Sequence, residues 1–120
     1  MIRGDKLEID IIALVSKSLE PLNIMVIEGW YDKELNKTHI TVHEYLDSED
    51  DFQDDEASEL EHNMQVDIWS MDSIEAYNLK KQVKKLLKEN GFKFTSGQDL
   101  PESDTKIYHK ALRFTYLEEL

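Results

Sequence analysis

Apolar residues recur along this chain at helical spacing, then at strand spacing, then at helical and strand spacing again. Leu7, Ile11, Ile12, Val15 and Leu19 fall three and four apart, with Lys6, Glu8, Asp10 and Lys17 mostly elsewhere, which predicts an amphipathic helix over 5–19. Pro21 supplies a stop soon after it. Residues 23–30 are short, apolar and β-branched, and 38–46 alternate, with Ile40, Val42 and Leu46 on one face and His39, Thr41, His43 and Tyr45 on the other. The polar 32–37 between them reads as a turn, so these two strands are expected to pair as a hairpin. Residues 63–70 alternate again, with Met64, Val66 and Ile68 inward and Gln65, Asp67 and Trp69 outward.

A second helix follows. Ser70 or Asp72 can cap it, and Glu75 lies at capping-box spacing from Asp72. Ala76, Leu79, Val83, Leu86 and Leu87 form one stripe, Lys80, Lys81, Lys84, Lys85 and Lys88 the opposite one, and Gly91 ends the helix as a left-handed cap. A short strand over 92–95, a polar loop through Gly97, Pro101 and Asp104, and a long aromatic strand over 106–117 complete the chain. On that last strand Tyr108, Leu112, Phe114 and Tyr116 share one face, and Ile107, His109, Ala111, Arg113 and Thr115 the other. The predicted order is α-β-β-β-α-β-β. It describes one α+β domain over 1–120, with a mixed, mainly antiparallel sheet of four to five strands and two helices packed on one face.

Composition changes this picture at several points. At 120 residues the chain suits a single core. The lack of cysteine removes disulfides, thiolate nucleophiles and cysteine zinc sites together. With neither a membrane-length apolar run nor a secretory leader pattern, the sequence predicts a soluble, cytoplasmic protein. The net charge of −12 argues against general affinity for nucleic acid. That charge is segregated: 47–61 hold nine acids and no base, and 80–93 hold six lysines and one acid. Mutual repulsion and the sparse apolar content, Phe52, Ala57 and Leu60, predict a long mobile acidic loop over 47–61.

Candidate chemistry is thin. His39 and His43 have metal-ligand spacing for a helix, but on a strand residues four apart lie roughly 13 Å from one another, too far for one ion. They read as a solvent-facing pair on a strand, and His62 and His109 have no recognisable local partner. Ser103 and Lys106 match Ser-x-x-Lys, but they lie in a polar loop without the companion motifs of that hydrolase class. No phosphate-cradling glycine loop or nucleophile elbow is present, so the sequence predicts a non-enzyme without metal or cofactor.

The pairing of an acidic segment with a basic helix face is more informative. A chain carrying both can bind copies of itself head to tail, and such contacts close into rings where the rotation permits. Exposed charge pairs are individually weak, so they would steer and register subunits that other contacts hold. The candidate subunit interface comprises Lys80, Lys81, Lys84, Lys85 and Lys88 on one side and Asp50, Asp51, Asp54, Asp55 and Glu56 on the other. A competing reading is a small acidic binding module without catalytic activity, such as a DNA mimic or regulatory adaptor. The lysine face works against mimicry.

Ile40-Thr41-Val42-His43-Glu44-Tyr45, Gln65-Val66-Asp67-Ile68-Trp69-Ser70, the lysine-rich Leu79–Leu87 stretch and Ile107-Tyr108-His109-Lys110-Ala111-Leu112-Arg113-Phe114 together resemble a prophage family common in Gram-positive bacteria. The family is the tail-terminator, or tail-completion and head–tail joining, proteins of long-tailed bacteriophages. Similarity is strongest over 63–116. The resemblance implies an α+β subunit of a hexameric ring that caps the tail tube and presents a surface to the head–tail connector. It implies partners in other copies of the chain, the tube protein and the connector. It places the protein in the host cytoplasm during assembly and afterwards in the virion tail. The resemblance carries over no catalytic residue. Variable loops at ring and tube contacts would correspond to 47–61, or those acids would line the lumen and let DNA pass by repelling phosphate.

Overall fold

A computed structural model describes residues 9–29, 37–53, 56–100 and 106–119, with 48–53 and 56–58 described as backbone alone. Helix α1 is Ile11–Ser18. It starts six residues later than its apolar spacing suggests, because Asp10 is extended and its carboxylate accepts the Ala13 amide at 3.0 Å, an N-cap that fixes the first turn. The expected start at Asp5 lies outside the described residues. A short 3₁₀ turn through Pro21 leads to β1, Met25–Glu28. Next come β2, His39–Gln53, and β3, Glu56–Ser70, then helix α2, Ser73–Glu89, followed by β4, Lys93–Leu100, and β5, Tyr108–Glu119.

The five strands form one mixed sheet in the order β1-β2-β3-β5-β4. The two helices cover one face, where Ile40, Val42, Met64, Val66, Ile68, Leu112 and Phe114 meet Ile11, Val15, Leu79, Val83 and Leu87. The fold is the α+β domain expected, with the elements in the expected order. Burying each fully enclosed aliphatic or aromatic side chain contributes about 1.5–3 kcal/mol before chain entropy is counted, so this layer is the source of stability.

Several local expectations are corrected. β1 pairs with β2 in parallel, Met25 beside His39 and Glu28 beside Val42, so the two are not a hairpin. The 47–61 segment is not a loop: 47–53 and 56–61 continue the β2–β3 ladder, with Asp47 opposite His62 and Gln53 opposite Glu56. Backbone hydrogen bonds form whatever the side chains, and strands already in register carry the ladder through Gln53 and from Glu56 despite the opposed acids. Asp54 and Asp55 lie outside the described residues. Leu46 leaves the core face because the register slips between Glu44 and Leu46; Tyr45 is the extra residue, and Leu46 is 54% exposed. β4 runs on through Gly97 to Leu100 where a loop was expected.

Helix α2 ends as its sequence predicts. The Phe92 amide bonds to the Leu87 carbonyl at 2.9 Å and the Gly91 amide to Lys88 at 3.2 Å, a Schellman closure with Gly91 at φ +93°. Its start is built differently from a capping box. Asp72 caps the Ile74 and Glu75 amides, but the Glu75 carboxylate turns to the hydroxyls of Ser70 and Thr38, and Ser70 Oγ accepts the Asp72 amide.

Candidate functional site

The lysine stripe of α2 follows directly from its register. With Ala76, Leu79, Val83 and Leu87 buried, Lys81, Lys85 and Lys88 are exposed, and Lys80 and Lys84 lie half-buried at the flanks. Lys84 Nζ stands 4.2 Å above the Phe94 ring and Lys81 Nζ 5.5 Å from Tyr77, so two cations rest on aromatic faces. The Phe94 contact carries the basic face across to β4, where Lys93 is also exposed. At the N-terminal end of the helix, Met71, Ile74 and Tyr77 are exposed apolar neighbours of this stripe.

The acidic residues sit elsewhere. β3 pairs with β5 from Ser70 to Glu59, and with β2 from Trp69 to Glu56, so the last part of the hairpin has β2 and β3 alone among the described residues. Asp51 and Glu56 fall on this two-stranded end, and Asp50 sits on the row that borders it. One row across three strands places Asp50 opposite Glu59 and Glu59 opposite Glu119. Like charges directly opposite disfavour pairing. Two fifteen-residue strands span about 50 Å at ordinary rise, which accounts for the long dimension of a molecule measuring 52 × 25 × 23 Å. Among the described residues, no ion pair joins a lysine of the stripe to an acid of the hairpin.

Sequence reasoning missed two buried polar clusters. The first lies on the helix face, where the apolar core gives out. His62 is 2% exposed; its Nδ1 meets Glu44 Oε2 at 2.6 Å and its Nε2 meets Glu118 Oε1 at 2.9 Å. The second Glu118 oxygen accepts the Ile9 amide at 3.0 Å, tying the chain before α1 to the end of β5. Burial by itself lowers the His62 pKa; the hydrogen bonds to Glu118 and Glu44 outweigh it, and the net shift is upward from 6.5. Both nitrogens facing carboxylates favour the imidazolium.

The second cluster lies on the other sheet face, in the row His39–Trp69–His109 across β2, β3 and β5. Trp69 stacks on His109 at 3.7 Å between centroids and more loosely on His39 at 6.2 Å. Its indole donates to Thr41 at 2.9 Å, while His109 Nε2 donates to Asp67 at 2.8 Å. Trp69, Asp67, His39 and His109 are buried, so this face is not the solvent-exposed one that alternation predicts. His39 and His43 are not a solvent-facing pair either: His39 is 1% exposed, and burial holds the His43 pKa below its usual value, with Arg113 adding to the effect and Asp67 opposing it. No local spacing could reveal these clusters, because their partners are 18 to 56 residues apart.

Among the described residues, no group of three histidine, cysteine or acidic side chains could hold a metal ion. The imidazole of His62 spends both nitrogens on carboxylates, and Asp67 is held by His109 and Gln65. Two open cavities of about 620 and 540 Å³ flank α1, lined by Leu14, Pro21 and Leu86 and by Leu19, Ile24 and Val26 respectively, and a smaller one of about 150 Å³ lies beside β4 against Gln65 and Arg113. Ser103 of the Ser-x-x-Lys spacing lies outside the described residues. Among the described residues, no helix is long and apolar enough to cross a membrane.

The fold and these surfaces define a small α+β domain whose distinctive features are a basic helix face and an acidic hairpin. Comparison with protein-family models gave no match, and comparison with curated proteins gave no relative.

Proposed function

We propose that this chain is a structural assembly protein, the subunit of a ring that caps a phage tail tube and joins it to the head connector. The proposal rests on the resemblance carried by β2, β3, α2 and β5, and on one feature of the molecule above others. A single rigid sheet carries acids at the far end of its hairpin and lysines on the helix over its opposite half. Opposite charges carried on separate elements of one chain can meet between chains. Head-to-tail contact of that kind generates rings or filaments. The tube protein and connector are the further partners, and the host cytoplasm and then the virion tail the places of action.

Light scattering at low and high salt tests it. A ring-sized species that dissociates as salt screens the acids and lysines is expected. Reversing Lys81, Lys84 and Lys85 to glutamate should leave a folded monomer. A concentration-independent monomer under every condition removes self-assembly and leaves the acidic binding module.

A further inference from the structure

Among the described residues, Arg113 has no acid partner, in a chain with 26 acids against 14 lysines and arginines. The side chain is nonetheless held in place. Its Nε donates to Gln65 Oε1 at 3.2 Å, and its Cζ stands 4.4 Å from the centre of the Tyr45 ring. Gln65 is fixed in turn, because its amide nitrogen donates to both oxygens of Asp67, at 3.0 and 3.3 Å. Asp67 is buried and also accepts from His109, so its charge is answered there. This hydrogen-bonded line orients the guanidinium. It leaves the terminal nitrogens of Arg113 without a hydrogen-bond acceptor among the described residues.

The register explains the space beside them. Gln65, Arg113 and Ser96 form one row across β3, β5 and β4, on the face away from the helices. The next row on that face is Asp67, Ala111 and Gln98, and Leu100 belongs to the row after it. Ala111 is small, and above it opens the cavity of about 150 Å³, which Arg113, Ser96, Gln65, Gln98 and Leu100 enclose. None of its lining residues is acidic. Ser96 and Gln98 bring neutral hydrogen-bonding groups, and Leu100 and Ala111 bring apolar surface. Asp99 and Lys110 lie on the helix face and pair with each other at 3.0 Å.

We propose that this notch binds a carboxylate. The planar fork of a guanidinium matches the two oxygens of a carboxylate, and an arginine already oriented loses little freedom in making the pair. Ser96, directly opposite Arg113, supplies a further hydroxyl donor. Leu100 and Ala111 take the short carbon stem behind the acid group, a stem that inorganic phosphate lacks. The volume lies far below that of a drug-sized pocket, so the ligand is an acidic side chain or a small free acid. Such a site needs no ring: it serves the chain as a monomer or in any assembly.

Titration of the isotope-labelled full chain tests it, with acetate, a capped peptide carrying one glutamate, and inorganic phosphate as probes at constant ionic strength. The Nε–H signal of Arg113 and the amides of Ser96 and Gln98 report binding. Saturable shifts at these groups are expected with acetate or the peptide. Saturation by the peptide at the lower concentration assigns the site to an acidic side chain of another polypeptide, and the reverse order assigns it to a small free acid. Arg113→Lys keeps the charge but loses the fork, and should weaken binding about tenfold or more. Ala111→Val fills the floor of the notch and should weaken it as well. Unchanged affinity in Arg113→Lys, shifts that never saturate, or phosphate binding as tightly as the carboxylates overturns the proposal.

Discussion

At one end of the β2–β3 hairpin, Ile40, Val42, Met64, Val66 and Ile68 lie fully buried beneath two helices. At the other end, Asp50 stands opposite Glu59 and Glu59 opposite Glu119. The same two strands run through both regions in one register, broken only at Tyr45. The near end has everything that stabilises a sheet: neighbours on both sides, apolar residues at every second position, and a helix layer. At the far end, among the described residues, β2 and β3 pair alone beyond Glu59, and the register opposes like charges. A region that departs from local stability rules within an otherwise consistent fold is where function is most often found. His62 marks the boundary, hydrogen-bonded to Glu44 on one side and Glu118 on the other where the apolar layer stops.

The largest effect that separates the two ends should come from the near one. Phe114 is fully buried between α2 and the sheet, and Phe114→Ala should cost about 3–5 kcal/mol in urea unfolding, enough to leave a domain of ordinary stability marginal. A loss under 1 kcal/mol would contradict the packing described. At the boundary, His62→Gln removes two hydrogen bonds to carboxylates, each of a kind worth about 1.5–3 kcal/mol. This effect depends on pH. The folded pKa of His62 is raised, so its stabilisation is complete below the unfolded value of 6.5 and fades as pH climbs through the higher folded value. The groups facing it are Glu44, Glu118, the register partner Asp47 and the Tyr116 ring at 6.4 Å. Thermal midpoints of wild type and variant should therefore converge as pH is raised above neutrality; a gap that widens would reverse the assignment. Smaller still is Gly91→Ala, which forces a Cβ at φ +93° to 3.2 Å from the Tyr116 ring and should cost about 1–2 kcal/mol. Gly91→Asn should cost less, since asparagine tolerates left-handed backbone better.

What could be read from the sequence follows the same divide. Most of helix α2 was legible: its stripe, the Asp72 cap and the Gly91 stop are local patterns, whereas the capping box expected from Glu75 did not form because its carboxylate turns to Ser70 and Thr38. The core faces of β2, β3 and β5 were legible because alternation is local too, up to the Tyr45 bulge that turns Leu46 outward. Pairing was not. A short apolar strand followed by a polar stretch looks the same whether its partner lies antiparallel or, as for β1, parallel. The acidic ladder was misread because composition was allowed to outweigh register. The His62 and Trp69 clusters stayed hidden because their contacts join strands far apart in sequence, so a face that alternates as polar turned out to be buried. For the candidate surfaces, sequence located the lysines on a helix face; that the acids continue the β2–β3 ladder could come only from the strand register.

The smallest effect is also the one that speaks most directly to why the far end is built as it is. Glu59 occupies the middle of a row of three acids and is only half-buried, so Glu59→Lys relieves repulsion with both Asp50 and Glu119 without disturbing packed side chains. Each cross-strand pair of this type is worth about 0.2–1 kcal/mol, and the variant should be more stable than the wild type by that order. The gain should shrink with added salt, which screens the repulsion already. If the acids serve assembly, stability and association must move in opposite directions: the thermal midpoint rises while the salt-sensitive oligomer weakens. A variant that is more stable and assembles as well as the wild type would show the acidic row to be dispensable for subunit contact, and would shift attention to the lysine stripe of α2.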